Sequence, residues 1–138
     1  MAGYSDKPLV SKLGIKPGAK VLLVRPPRGF RSTLGPLPSG ARELAQRKGP
    51  FDVIHLFVKS ADVLPGIIRS LRRSLATNGM LWVSWPKRAS GVATDVDENV
   101  VRHAGLSLGL VDVKVCAVDE TWSGLKFVIP IKLRTARE

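Results

Sequence analysis

The chain has 138 residues, 44% of them hydrophobic, which suits one folded domain with one core and excludes a disordered chain. It carries 22 Lys+Arg against 11 Asp+Glu, a net charge of +11, which favours an anionic partner, either a small molecule or nucleic acid. No apolar run approaches the ~20 residues of a membrane helix, the N-terminus lacks the layout of a secretory signal, and the single Cys excludes an internal disulfide, so a cytoplasmic protein with no membrane partner is expected.

Residues 8–14, "PLVSKLG", predict a short helix, with Ser5 or Asp6 as cap, Pro8 in the first helical position and Gly14 at the end. "KPGAK" then turns into "VLLVR". The unbroken apolar run Val21 to Val24 is the pattern of a parallel strand covered on both faces. Residues 25–50 hold five prolines and four glycines, which oppose long regular elements. The spacing leaves room only for a short helix from Ser39 to Lys48, capped by Ser39 and with Glu43 in its early turns.

"FDVIHLFV", Phe51 to Val58, is a second buried strand. The strongest helical pattern follows, "SADVLPGIIRSLRRSLATNG", with Leu64, Ile67, Ile68, Leu71 and Leu75 on one face. Ser60 or Asp62 suits its cap, Pro65 its first turn and Asn78-Gly79 a left-handed end. Its other face carries Arg69, Arg72 and Arg73, read as a solvated basic stripe.

"MLWVSW", Met80 to Trp85, is a third strand, in which Trp82 and Trp85 point to opposite faces. A helix from Val96 to Leu108 follows, with Thr94 or Asp95 as cap and Asp97 and Glu98 in its first turn, and Gly109 ends it. "LVDVKVCAV" and "LKFVIPIK" then flank "DETWSG" as an antiparallel hairpin. Valines 111, 113 and 115 alternate with Asp112, Lys114 and Cys116, the pattern of a half-covered strand. Pro130 ends the pairing. Alternating strands and helices specify an α/β fold: a three-layer, Rossmann-like, mostly parallel sheet with a C-terminal antiparallel hairpin. One domain over 1–133 and a loose basic tail over 134–138 are expected.

"PGAKVLLV", "FDVIHLFV", "LRRSLATNGMLWVSWP" and the closing hairpin resemble pieces of a class I, S-adenosylmethionine-dependent methyltransferase. More closely, "GYSDKPLVSKLGIKPG", "WVSWPK" and "GL…WSGLKFV" resemble a family of small bacterial proteins of unknown function, a likeness that covers nearly the whole chain and implies a fold rather than an activity. The methyltransferase pattern implies an acidic residue and a Gly-x-Gly turn after the first strand, where the backbone meets the cofactor. Here that turn reads Arg25-Pro26-Pro27-Arg28-Gly29, and two prolines remove two backbone donors. The family also places an acidic residue at the end of its second strand, for the cofactor ribose. Between Phe30 and Pro50 the only carboxylate is Glu43, in a helix-like context. No cofactor site is therefore carried over to any residue, and no cofactor or metal is assigned.

In a parallel α/β sheet, ligands sit beyond the carboxyl ends of the strands. The first strand is followed by Arg25 and Arg28, the second by Lys59, and the third by Lys87 and Arg88, then Ser90. These residues form the candidate anion site, the cations as clamps and Ser90 as a hydroxyl donor. Neither His55, mid-strand, nor His103, on a helix, has an acid or nucleophile at catalytic spacing, and Cys116 on an apolar strand reads as inert packing. Three functions remain open: a non-catalytic binding module for an anionic ligand, a divergent methyltransferase, and a protein-interaction subunit that presents Trp122 and the 25–50 segment.

Overall fold

The structure, a computed structural model, describes residues 7–46 and 48–137, without the side chains of 135–137. Ser5 and Asp6, the expected caps of the first helix, lie outside the described residues. A six-stranded sheet forms the middle layer: β1 (Lys20–Val24), β2 (Arg42–Glu43), β3 (Phe51–Phe57), β4 (Leu75–Pro86), β5 (Val111–Ala117) and β6 (Trp122–Val128). They lie in the order β2-β1-β3-β4-β6-β5. β2, β1, β3 and β4 pair in parallel, and β6 pairs antiparallel with both β4 and β5. The expected mostly parallel sheet with an antiparallel closing hairpin is the observed one.

Two cores flank it. On one face α3 (Leu64–Arg72) and α4 (Glu98–Ser107) cover Ile54, Leu56, Leu81, Val83 and Phe127. On the other, α1 (Leu9–Lys12), its following loop and α2 (Phe30–Leu34) cover Val21, Val53, Phe57 and Trp82. Trp82 and Trp85 fall in different cores, as their spacing requires. α4 lies so close to the sheet that a Cβ on Gly105 would sit 2.2 Å from the Phe127 ring. Among the described residues, no helix is long and apolar enough to cross a membrane.

Several elements differ from the sequence reading, among them α2, which it did not include, and β6, which begins at Trp122 inside the expected hairpin loop. No helix spans Ser39 to Lys48. Gly40 is left-handed (φ +75°), the Ala41 amide closes a turn on the Pro38 carbonyl, and the chain then extends as β2. α3 stops at Arg72, and Leu75, Asn78 and Gly79 belong to β4. Gly79 is not a left-handed cap: a Cβ there would come 2.8 Å from the Phe51 carbonyl oxygen, so the residue is set by close strand approach. In β5 a register shift between Asp112 and Lys114 breaks the expected alternation. Asp112 opposes Phe127, over which α4 packs, whereas Lys114 opposes Lys126 on the Trp82 face. Beyond Pro130 the backbone forms α5 (Ile131–Arg137), and the Arg134 Nε donates to the Ile129 carbonyl at 2.8 Å.

Candidate functional site

β1, β3 and β4 run parallel, so the loops that follow them leave one edge of the sheet. From β1 the chain passes to β2 on one side, and then to β3 on the other. This reversal of direction places the crevice of an α/β sheet between β1 and β3. Arg25, Arg28, Lys59, Lys87 and Arg88 therefore stand on loops along this one rim. β1 and β4 are two strands apart, about 10 Å, within the combined reach of long cationic side chains.

The β1–α2 turn is tight. Arg25 is left-handed (φ 57°), the only such non-glycine among the described residues, and Pro26 and Pro27 follow. The Phe30 amide closes the turn on the Pro27 carbonyl at 3.0 Å, and Gly29 is left-handed (φ 82°) with open space where its Cβ would lie. Phe30 then drops into the core, edge-on to His55 and Phe57 at centroid distances of 5.3 and 4.7 Å. Arg25 and Arg28 are both exposed.

The stretch "WPKRASGVATD" after β4 is a built loop. The Lys87 amide donates to the Thr121 carbonyl at 2.7 Å, and Arg88–Ser90 form a single 3-10 turn that ends at the left-handed Gly91. The Ser90 hydroxyl donates to the Lys87 carbonyl at 2.6 Å and accepts from the Val92 amide at 3.2 Å. Ser90 thus holds its own loop in shape, and its hydroxyl proton is committed there. Thr94 and Asp95 do not cap α4, as the sequence suggested. The Thr94 hydroxyl donates to the Lys59 carbonyl at 2.7 Å, and Asp95 accepts the Ala61 amide at 2.8 Å, so the two residues latch the third loop onto the second. Asp97 is the cap, accepting from the Val100 amide at 2.9 Å. A cavity of about 540 Å³ opens in this loop, with Trp85, Pro86, Arg88, Gly91 and Thr94 in its wall.

Below the rim stands a residue the sequence reading set aside, Glu43, which pairs with Val21, three residues before the end of β1. Glu43 is the last residue of β2, at a strand end and not in a helix. Both its oxygens are held by Arg31 of α2, the Nε donating to Oε1 at 2.8 Å and the Nη2 to Oε2. A two-residue strand has no periodicity to read, which is why the sequence hid it.

The remaining chemical side chains lie away from the rim. His55 is buried, stacked on Phe57 at 4.2 Å, with Nε2 sharing a hydrogen bond of 2.7 Å with the buried Ser84 hydroxyl. Burial pushes its pKa down to about 3. Burial raises that of Cys116, against the pull of Lys12, Lys114 and Lys126. His103 is exposed on α4. Trp122 is only 6% exposed and packs edge-on to Phe57 at 5.2 Å, so it belongs to the core and not to a contact surface. Arg69 and Arg73 are exposed on α3, but Arg72 is partly buried.

No family model matches the chain, and no curated protein matches it in sequence. Solved structures do match. A SAM-dependent methyltransferase from Aquifex aeolicus is similar over 88% of both chains, with TM-score 0.64 and 13% identity. Fibrillarin from Aeropyrum pernix, with natively bound S-adenosyl-L-methionine, is similar over 91% of this chain and 70% of its own, with TM-score 0.54 and 16% identity. Magnesium protoporphyrin IX methyltransferase from Synechocystis, with bound SAH, is similar over 88% and 78%, with TM-score 0.56 and 11% identity. The fold is that of the SAM-dependent methyltransferases. At these identities the likeness is one of architecture, and function must be argued from the residues on the rim.

Proposed function

We propose that this methyltransferase-like domain is a non-catalytic binding module that holds a small phosphate-bearing ligand against its rim. The observation that carries the reading is the common edge: every loop that follows β1, β3 and β4 contributes cations to it, namely Arg25 and Arg28, then Lys59, then Lys87 and Arg88. Arginine offers phosphate a planar fork of donors, and charge-assisted hydrogen bonds contribute more than neutral ones. The latched loop around the Arg88 cavity supplies a rigid wall. The cofactor that the fold implies fits this rim poorly. Pro26 and Pro27 stand where the family's backbone donors would be, and Arg31 occupies both oxygens of Glu43. No methyl-transfer step is derived.

Calorimetric titration with pyrophosphate and ATP tests the proposal on the wild type and on Arg28→Gln combined with Arg88→Gln. Both side chains are exposed, so the variant should fold. Loss of two phosphate contacts should weaken binding by tenfold or more, about 1.4 kcal/mol. Absence of binding in the wild type, or equal binding in the variant, refutes the reading.

One observation favours methyl transfer instead. Glu43 is the last residue of β2, the strand whose end carries the family's ribose-binding acid, although it pairs with Val21 and so lies below the rim. On that reading Arg31→Gln frees the carboxylate, and S-adenosylmethionine affinity rises relative to the wild type. No heat of binding in either protein removes it.

A further inference from the structure

A second basic surface lies away from the rim, on the half of the sheet that no helix among the described residues covers. On the Trp82 face, α1 and the loop after it reach as far as β4, where the Trp82 Nε1 donates to the Leu13 carbonyl at 2.9 Å. Beyond that line Gly124 is buried and Cys116 half-buried, whereas Lys126 is half-buried and Lys114 exposed. The register sets Lys114 directly opposite Lys126. Direct cross-strand neighbours bring their Cβ atoms to about 5 Å, and like charges so placed repel. Lys126 extends over Trp82, its Nζ 6.0 Å from the ring centroid. Burial first, then Lys114, holds its pKa down, and Lys16 lines a pocket with Met80, which pairs with Val128 at the end of β6. Lys12 closes the stripe toward the rim, its amine donating to the Ala117 carbonyl at 2.7 Å.

Of the nearby described acids, one is paired with an arginine on the other face and two are held by backbone amides, which fixes them but leaves their charge in place. Asp112 lies on the opposite face and accepts from Arg102 at 2.8 Å. Asp119 accepts the Thr121 and Trp122 amides, both at 2.8 Å. Asp52 accepts the Lys20 amide at 2.8 Å. The stripe is thus a run of positive charge whose central pair is mutually repulsive. An external polyanion relieves that repulsion on binding. Lysines are point charges on flexible stems, suited to backbone phosphates rather than to one fixed ligand geometry. Among the described residues this face exposes no aromatic wedge for a lipid surface, since Trp82 and Trp122 are both buried.

We propose that Lys12, Lys16, Lys114 and Lys126 form a sequence-independent docking surface for the phosphate backbone of a nucleic acid. It is independent of the rim, so either proposal can fail alone.

The test is fluorescence anisotropy with a labelled single-stranded oligonucleotide and the matching duplex, titrated from about 50 to about 200 mM salt. Wild type should bind at low salt and lose affinity as salt rises. Lys114→Gln with Lys126→Gln should lower the slope of log affinity on log salt by about 1.8 for duplex and about 1.4 for the single strand. Its melting temperature should hold or rise, because a repulsive pair is removed. Arg28→Gln with Arg88→Gln should leave the slope unchanged. No binding by wild type at low salt overturns the proposal, as does an unchanged slope in the lysine variant. If the lysine variant loses binding to phosphatidylserine vesicles but keeps its nucleic-acid affinity, the surface is a lipid site and the proposal also falls.

Discussion

Acid should weaken this fold well above the carboxylate range, and through one residue. His55 is 1% exposed, among Phe30, Phe57 and Trp82, with Nδ1 lacking a hydrogen-bond partner. Burial keeps its ring neutral in the fold down to about pH 3, whereas the ordinary value is 6.5. Between those values the unfolded chain binds a proton that the folded chain refuses. Stability therefore rises with pH in that window: it is fully present above about 6.5 and falls by about 1.4 kcal/mol per pH unit below it. From pH 7 to pH 5 the loss through His55 is about 2 kcal/mol, a sizeable part of the 5–15 kcal/mol typical of a domain. Asp112 contributes later: its hydrogen bond from Arg102 lowers its pKa, so its stabilisation is lost only at more acidic pH. Urea unfolding at pH 7 and pH 5 reads the effect. The control is His55→Leu with Ser84→Ala, which removes both members of the buried polar pair and strands neither. The wild type should lose about 2 kcal/mol more than this variant over the interval. Equal losses in the two proteins refute the claim that the fold excludes the His55 proton.

Two further outcomes follow from packing and from the loop latch. Gly105→Ala places a methyl group 2.2 Å from the Phe127 ring, so α4 must lift from the sheet; a loss of about 1–3 kcal/mol or more should appear as a lowered thermal midpoint. Thr94→Val and Asp95→Ala each remove one hydrogen bond between the second and third rim loops, costing about 1 kcal/mol. With Asp95→Ala the Ala61 amide should exchange hydrogen faster, while amides within β3 keep their protection.

The parallel strands were legible because they are buried on both faces: "VLLV" and "FDVIHLFV" carry the apolar density that a doubly covered strand requires. The errors fall where two elements meet. Leu75 continues the helical spacing of Leu64, Ile68 and Leu71, and it is buried as they are, but from the first position of β4. Periodicity reports that a side chain is buried and not which backbone buries it. The hairpin alternation failed at Val113 for a related reason. A bulge adds a residue without altering composition, and it reverses which face every later side chain meets.

The rim was legible for a different reason. Parallel pairing alone fixes which end of each strand carries its following loop, so Arg25, Lys59 and Lys87 could be placed on one edge before any contact was known. What pairing cannot fix is what each loop does with its polar groups. Ser90 and Thr94 have the same chemistry and lie four residues apart. One closes a turn within its own loop, and the other crosses to the Lys59 carbonyl. Glu43 makes the point most sharply, because its meaning depends on β2, which exists only through pairing with β1. Once that pairing forms, a carboxylate ends the second strand as in the methyltransferase pattern, but level with Val21 and so below the rim. Arg31, the second residue of the preceding helix, already pairs with it. A nucleoside cofactor would have to displace that arginine and approach a turn stiffened by two prolines. A phosphate would meet neither obstacle at Arg88; Asp95 and Asp97 line the far wall of that cavity, so it would sit on the side of Arg25, Arg28 and Lys59. That asymmetry ranks the anion-binding reading above methyl transfer.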